Sequence, residues 1–217
     1  MSNSLNDRLS AYADIAADLS VDAVALVPGP NFTRAVDHAF MSHERPFVLV
    51  IPARGPAAAL VPNLELGSWE LVGFDGAVFD WRDQTGYDDA FAALTEHLNI
   101  TSLAVEGQVM RVFVHHALKK AQPDLRIIDA EREISAPRMI KTEAEVAALQ
   151  EAINISERAL RATLDSVKLG QTEKEIEQKL VQMVFAEGAD DLSFAPIVAA
   201  GDGSARPHAK ARENYRV

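Results

Sequence analysis

Six strand-length apolar runs punctuate the first 134 residues of this 217-residue chain, and each is too short to bury itself except as one member of a shared sheet. They cover residues 21–27, 47–51, 57–61, 71–79, 102–105 and 125–128. The segments between them change to helical spacing. Leu5, Leu9, Tyr12, Ile15 and Leu19 recur every three or four residues, as do Tyr87, Phe91, Leu94 and Leu98, and residues 109–121 read as a further helix. Pro28, Gly29 and Pro30 close the first run, because proline cannot donate to a ladder and glycine permits a sharp turn. Residues 52–56, Pro-Ala-Arg-Gly-Pro, join the second and third runs as an antiparallel hairpin. Strands interleaved with helices predict an α/β domain over 1–134, three-layered around a mixed sheet.

From 135 onward the pattern is different. Thr142 with Glu145, and Thr172 with Glu175, are capping boxes, in which the threonine oxygen accepts from the third backbone N–H and the glutamate reaches back to the cap. The first opens a helix with Val146, Leu149, Ile153, Leu160, Leu164 and Val167 along one stripe, stopped at Gly170. The second opens a helix with Ile176, Leu180, Met183 and Val184, stopped at Gly188. Residues 193–200 are an apolar run of strand length, and only 17 residues follow it. Two amphipathic helices and one buried-type strand do not close a core without further strands, so the expectation for 135–217 is a partial domain, completed by another chain or cut short.

Composition narrows the chemistry. With no cysteine there are no disulfides, thiolate zinc sites, iron–sulfur clusters or cysteine nucleophiles, and any metal would need His, Asp and Glu. The net charge of −11 opposes nucleic-acid binding, and it divides as −9 over 1–134 and −2 over 135–217. No apolar run approaches the ~20 residues that span a bilayer, and the first residues lack a signal-peptide pattern, so the expected location is the cytoplasm with no membrane partner.

Several polar groupings invite a functional reading and favour a structural one. His115 and His116 are adjacent in a helix and point about 100° apart, which suits a solvated pair better than a chelate. Asp37, His38, His43 and Glu44 fit neither i, i+4 chelation nor a zinc spacing and read as a surface turn. Residues 28–31 read as a strand-to-helix turn. Gly201 to Ser204 lacks the lysine and following helix of a nucleotide loop. Glu106, before Gly107, is either a solvated loop residue or a buried partner of an arginine. Arg206, Pro207 and His208 stand apart, because they follow an apolar run and a glycine turn, where a scaffold delivers side chains on a loop. A histidine there can carry a proton near neutrality.

The second part resembles the opening of a pita-bread metallopeptidase domain, the family of prolidase, aminopeptidase P, creatinase and methionine aminopeptidase. The resemblance rests on residues 138–142, Arg-Met-Ile-Lys-Thr, with Glu145, on 168–173, Lys-Leu-Gly-Gln-Thr-Glu, on Glu187 to Ala189, on 193–198, and on Pro207 with His208. The first part is similar to the creatinase-type amino-terminal domain through Asp22 and Ala23, residues 28–31, and Val105 to Gly107. The resemblance implies a three-layer creatinase-type domain, then a partial α+β pita-bread domain, in a protein that hydrolyses Xaa-Pro bonds with two divalent metals, manganese, cobalt or zinc. It implies that the ligands, two aspartates, a histidine and two glutamates, lie downstream of His208. The chain would then hold no metal by itself. His208 alone matches a family active-site position, catalytic and substrate-binding, which the resemblance places beside the metals in contact with substrate or the developing oxyanion. The resemblance also implies a homodimer through the amino-terminal domain. Creatinase-like hydrolysis of another small molecule, or a non-catalytic dimerisation or binding module, are the alternatives.

Overall fold

The computed structural model describes residues 4–41 and 44–217. It divides into two compact units, the first ending at Ile140 and the second running Lys141–Val217.

The first unit is built on one six-stranded sheet: β1 (Ala23–Leu26), β2 (Val48–Pro52), β3 (Ala58–Pro62), β4 (Ala77–Trp81), β5 (Ser102–Val105) and β6 (Arg126–Asp129), in spatial order β4-β3-β2-β1-β5-β6. β2 pairs antiparallel with both β1 and β3, while β1–β5, β5–β6 and β3–β4 are parallel, so the sheet is mixed. Side chains alternate along each strand. Val24, Leu26, Leu49 and Ile51 face a core shared with α1 (Leu5–Asp18), α2 (Pro30–Val36), α3 (Leu66–Glu70) and α6 (Glu131–Met139). Ala23, Ala25, Val48 and Val50 face the opposite core with α4 (Asp88–Leu98) and α5 (Val112–Ala121). Helix, sheet, helix is the three-layer arrangement the alternating pattern predicts. Phe32, Phe40, Phe47 and Trp69 meet edge-on or tilted at 5.0 to 6.3 Å in the first core. Charged Asp80 and Arg126 stand on the two edge strands, which guards them against further pairing.

Several boundaries move. The strand expected at 71–79 starts at Ala77, because Leu71 caps α3, Gly73 is left-handed at φ 67°, and a Cβ on Gly76 would stand 2.1 Å from the carbonyl oxygen of Ala57. α5 starts at Val112 instead of 109, since the amides of Val109 and Met110 turn back onto the carbonyl of Glu106 and Arg111 is extended. The break expected after 134 does not occur. α6 continues through Pro137, with Ile134 fully buried in the first unit, and the division falls after Ile140.

The second unit consists of α7 (Glu143–Ser166), α8 (Glu173–Ala186), a 3-10 turn (Gly201–Ala205) and extended connections. Both capping boxes form, and Gly170 and Gly188 take left-handed φ of 92° and 103°. The strand expected at 193–200 is absent. Pro196 has no N–H, and no sheet of this unit offers it a ladder; a single isolated bridge joins Thr172 and Arg216. The stripe along α7 is also not buried: Val146, Leu149, Ile153, Leu160 and Leu164 each keep about half of their surface in water. Among the described residues, no helix is long and apolar enough to cross a membrane.

Candidate functional site

The second unit is organised by one carboxylate. Glu173, the first residue of α8 after its Thr172 cap, is 0% exposed. Its Oε1 accepts from the Ala200 amide at 2.7 Å and Arg212 Nη2 at 2.8 Å, and its Oε2 accepts from the Arg212 amide at 2.8 Å and Arg212 Nε at 2.9 Å. The forked guanidinium matches the carboxylate face to face. Arg212 also donates to Asp202 at 2.9 Å and lies 4.0 Å over the Tyr215 ring. The Arg212 hydrogen bonds hold the Glu173 carboxyl down at about 2 and push the guanidinium up.

His208 stands on the loop between Ala200 and Arg212. It is exposed and lines a cleft of about 780 Å³ with Lys174, Phe194, Pro196, Ile197 and Pro207. Phe194 and Ile197, the apolar residues of the expected strand, form a wall of this cleft instead and remain exposed. Lys174 pairs with Glu177 at the rim. An imidazole beside an apolar wall can exchange a proton or hydrogen-bond a carbonyl oxygen while the wall accepts an apolar side chain.

The first unit carries a separate buried polar network. Asn31 donates to Glu106 Oε1 at 2.7 Å and to Ser135 Oγ at 3.1 Å, and its Oδ1 accepts from Arg138 Nε at 3.1 Å. Tyr12 donates to the Asn31 carbonyl at 3.1 Å. Burial, then the nearby Glu106 charge, push the Tyr12 hydroxyl up to about 12; burial also pushes the Glu106 carboxyl up. Of the two readings for Glu106, burial is the observed one, with Asn31 standing between it and the arginine. The remaining groupings stay apart. His115 is half-buried and His116 exposed, their rings 5.8 Å apart; Asp37 is exposed, His38 packs on Phe40, and His43 lies outside the described residues.

Among the described residues, no three His, Asp or Glu side chains converge to hold a metal ion, so a metal centre does not fit the residues present.

Residues 8–140 match the Creatinase/Prolidase N-terminal domain, and 147–216 match Metallopeptidase family M24. The chain belongs to the creatinase/prolidase family. Members of M24 are metal-dependent peptidases. The crystal structure of a prolidase from Thermococcus sibiricus superposes with a TM-score of 0.85 at 27% identity, covering 95% of this chain and 57% of that one. A Xaa-Pro dipeptidase from Pyrococcus horikoshii is 26% identical over 216 residues, 96% of this chain and 56% of its own length. An uncharacterised peptidase from Staphylococcus haemolyticus is 25% identical over 175 residues, 81% of this chain and 48% of its own. The chain therefore spans about half the length of the curated relatives it matches.

Linear reading did not find the Glu173–Arg212 pair. The capping box marks Glu173 as a first-turn acid, the usual solvent-facing complement to a helix dipole. Nothing in the sequence links it to an arginine 39 positions away.

Proposed function

We propose that this chain supplies the creatinase-type domain and the opening of the catalytic domain of an Xaa-Pro-cleaving metallopeptidase, with His208 contacting substrate. The observation that carries the reading is the likeness to a prolidase over 95% of the chain, with the two family matches in succession along it. The place of His208 on an open cleft with an apolar wall supports its role. The metals that the family uses would be held by residues other than those described here, where they would supply an activated water, and manganese, cobalt or zinc would suit oxygen and imidazole ligands. Those ligands come from polypeptide outside the 217 residues. The working form is a cytoplasmic homodimer joined through the first unit, and the substrate is a short peptide with proline at its second position.

Proline release from Xaa-Pro dipeptides, with each of the three metals, tests this on the full gene product that carries these residues. It is expected to cleave, the 217-residue chain alone is expected not to, and His208→Ala is expected to lower kcat about 100-fold. Release of urea from creatine in place of proline would establish the creatinase-like alternative. A full gene product that binds such peptides without cleaving them under any of the metals would leave a binding module.

A further inference from the structure

We infer that Glu173 and Arg212 are positioning residues for His208: one buried carboxylate clasps both ends of the loop that carries the imidazole and fixes where it stands in the cleft. This rests on the reading of His208 as the substrate-contacting residue. The two backbone amides that Glu173 receives, Ala200 and Arg212, are the two feet of the loop. Arg212 Nη2 closes the base by donating to the Ala200 carbonyl at 2.9 Å. Holding two chain segments at one point removes the loop-closure freedom that an 11-residue excursion would otherwise keep.

The geometry carries from the clasp to the imidazole. Gly203 N donates to Ala200 O at 3.1 Å, Arg206 N to Gly203 O at 3.1 Å, and Ala209 N to Arg206 O at 3.2 Å, three successive turns ending beside His208. Two first-turn amides of α8, which a helix leaves without internal partners, hold the returning strand of the loop: Glu173 N donates to Tyr215 O and Lys174 N to Arg212 O, both at 3.2 Å. The fit is close. A Cβ on Gly203 would stand 3.0 Å from Arg212 Nη2, and one on Gly201 would stand 2.1 Å from the Tyr215 hydroxyl. A buried carboxylate with four hydrogen bonds, forked onto a guanidinium that keeps about a third of its surface exposed, is a rigid reference for a surface loop in a unit with little apolar core.

Backbone ¹⁵N relaxation and the His208 imidazole resonances, recorded on the 217-residue chain, test the clasp without reference to catalysis. In Glu173→Gln, order parameters over 201–211 are expected to fall from about 0.85 to below about 0.6, with the His208 resonances moving toward those of a free imidazole and the first unit unchanged. Gly203→Ala crowds the guanidinium while keeping both charges, so it tests the same loop should Glu173→Gln unfold α8. Unchanged loop order and unchanged His208 resonances in either folded variant would overturn the inference. In the full gene product, Glu173→Gln is expected to lower kcat for proline release at least 10-fold with KM within about 2-fold, and Arg212→Lys, which keeps charge without the fork, is expected to recover only part of it. A loosened loop with proline release intact in both Glu173→Gln and His208→Ala would leave the clasp standing and remove the active-site reading.

Discussion

The two units solve the same problem with opposite materials. In the first, both faces of a six-stranded sheet are covered by helices, and every buried apolar side chain of the described residues except Ala159 lies there. In the second, the buried side chains besides Ala159 are polar, Thr163, Thr172 and Glu173, while the apolar stripe of α7 stays about half exposed. Burial of carbon stabilises the first and directed hydrogen bonds order the second. The consequence is a difference in kind. A hydrophobic core tolerates substitution in proportion to volume, whereas a charged clasp fails when one partner is lost.

The largest expected effect strikes the first unit. Phe47→Ala removes a ring packed on Phe32, Phe40 and Trp69 and should lower stability by about 3–5 kcal/mol in urea unfolding. The second unit's helices should lose no comparable amount from any single apolar truncation.

Acid should separate the units by sign. Glu173 releases its proton at about 2 when folded, below its ordinary 4.5, chiefly because Arg212 hydrogen-bonds it. Its contribution is complete above the ordinary value and is lost as pH falls toward about 2. Glu106 is shifted the other way by burial, so its folded form keeps the proton to higher pH than the unfolded one. Its contribution is complete below the ordinary value and is lost as pH rises through the raised one. Hydrogen exchange followed against pH should therefore show α8 opening in acid. In Glu106→Gln, the amides of β5 and α6 should lose a dependence that the parent shows at higher pH. An unaltered pH profile in that variant would break the comparison.

Smaller effects sharpen it. Thr172→Ala should cost about 1 kcal/mol through the lost cap, and Thr142→Ala a similar amount, both read from the thermal unfolding of the helices. Ile153→Ser, on the exposed stripe, should change stability by no more than about 0.5 kcal/mol while reducing the binding of a hydrophobic dye.

These differences also explain how far the sequence could be read. β5 was legible to the residue, because Leu103 to Val105 is apolar, short and bounded by polar residues on both sides, Thr101 and Ser102 before it and Glu106 after it. The two capping boxes were legible because their partners lie three residues apart. β4 was displaced since glycine conformation at Gly73 and crowding at Gly76 decide where the chain can straighten, and neither is visible in apolar content. Residues 193–200 have the composition of a strand but no neighbour in their unit to pair with, and composition carries no information about neighbours. The cleft histidine could be singled out from its glycine turn and apolar lead-in. Its clasp could not, because a contact across 39 positions between two ordinary charged residues leaves no local trace.

Asn31 shows what such a contact demands of residue identity. Its amide gives hydrogens to Glu106 and Ser135 and receives one from Arg138, so the acid and the base are joined through a group that is both donor and acceptor, in one orientation only. Aspartate, of nearly identical shape, would turn its donor side into a second anion facing Glu106. The position therefore carries a polarity as well as a volume, and the wiring between sheet and α6 has a direction that no isosteric replacement can preserve.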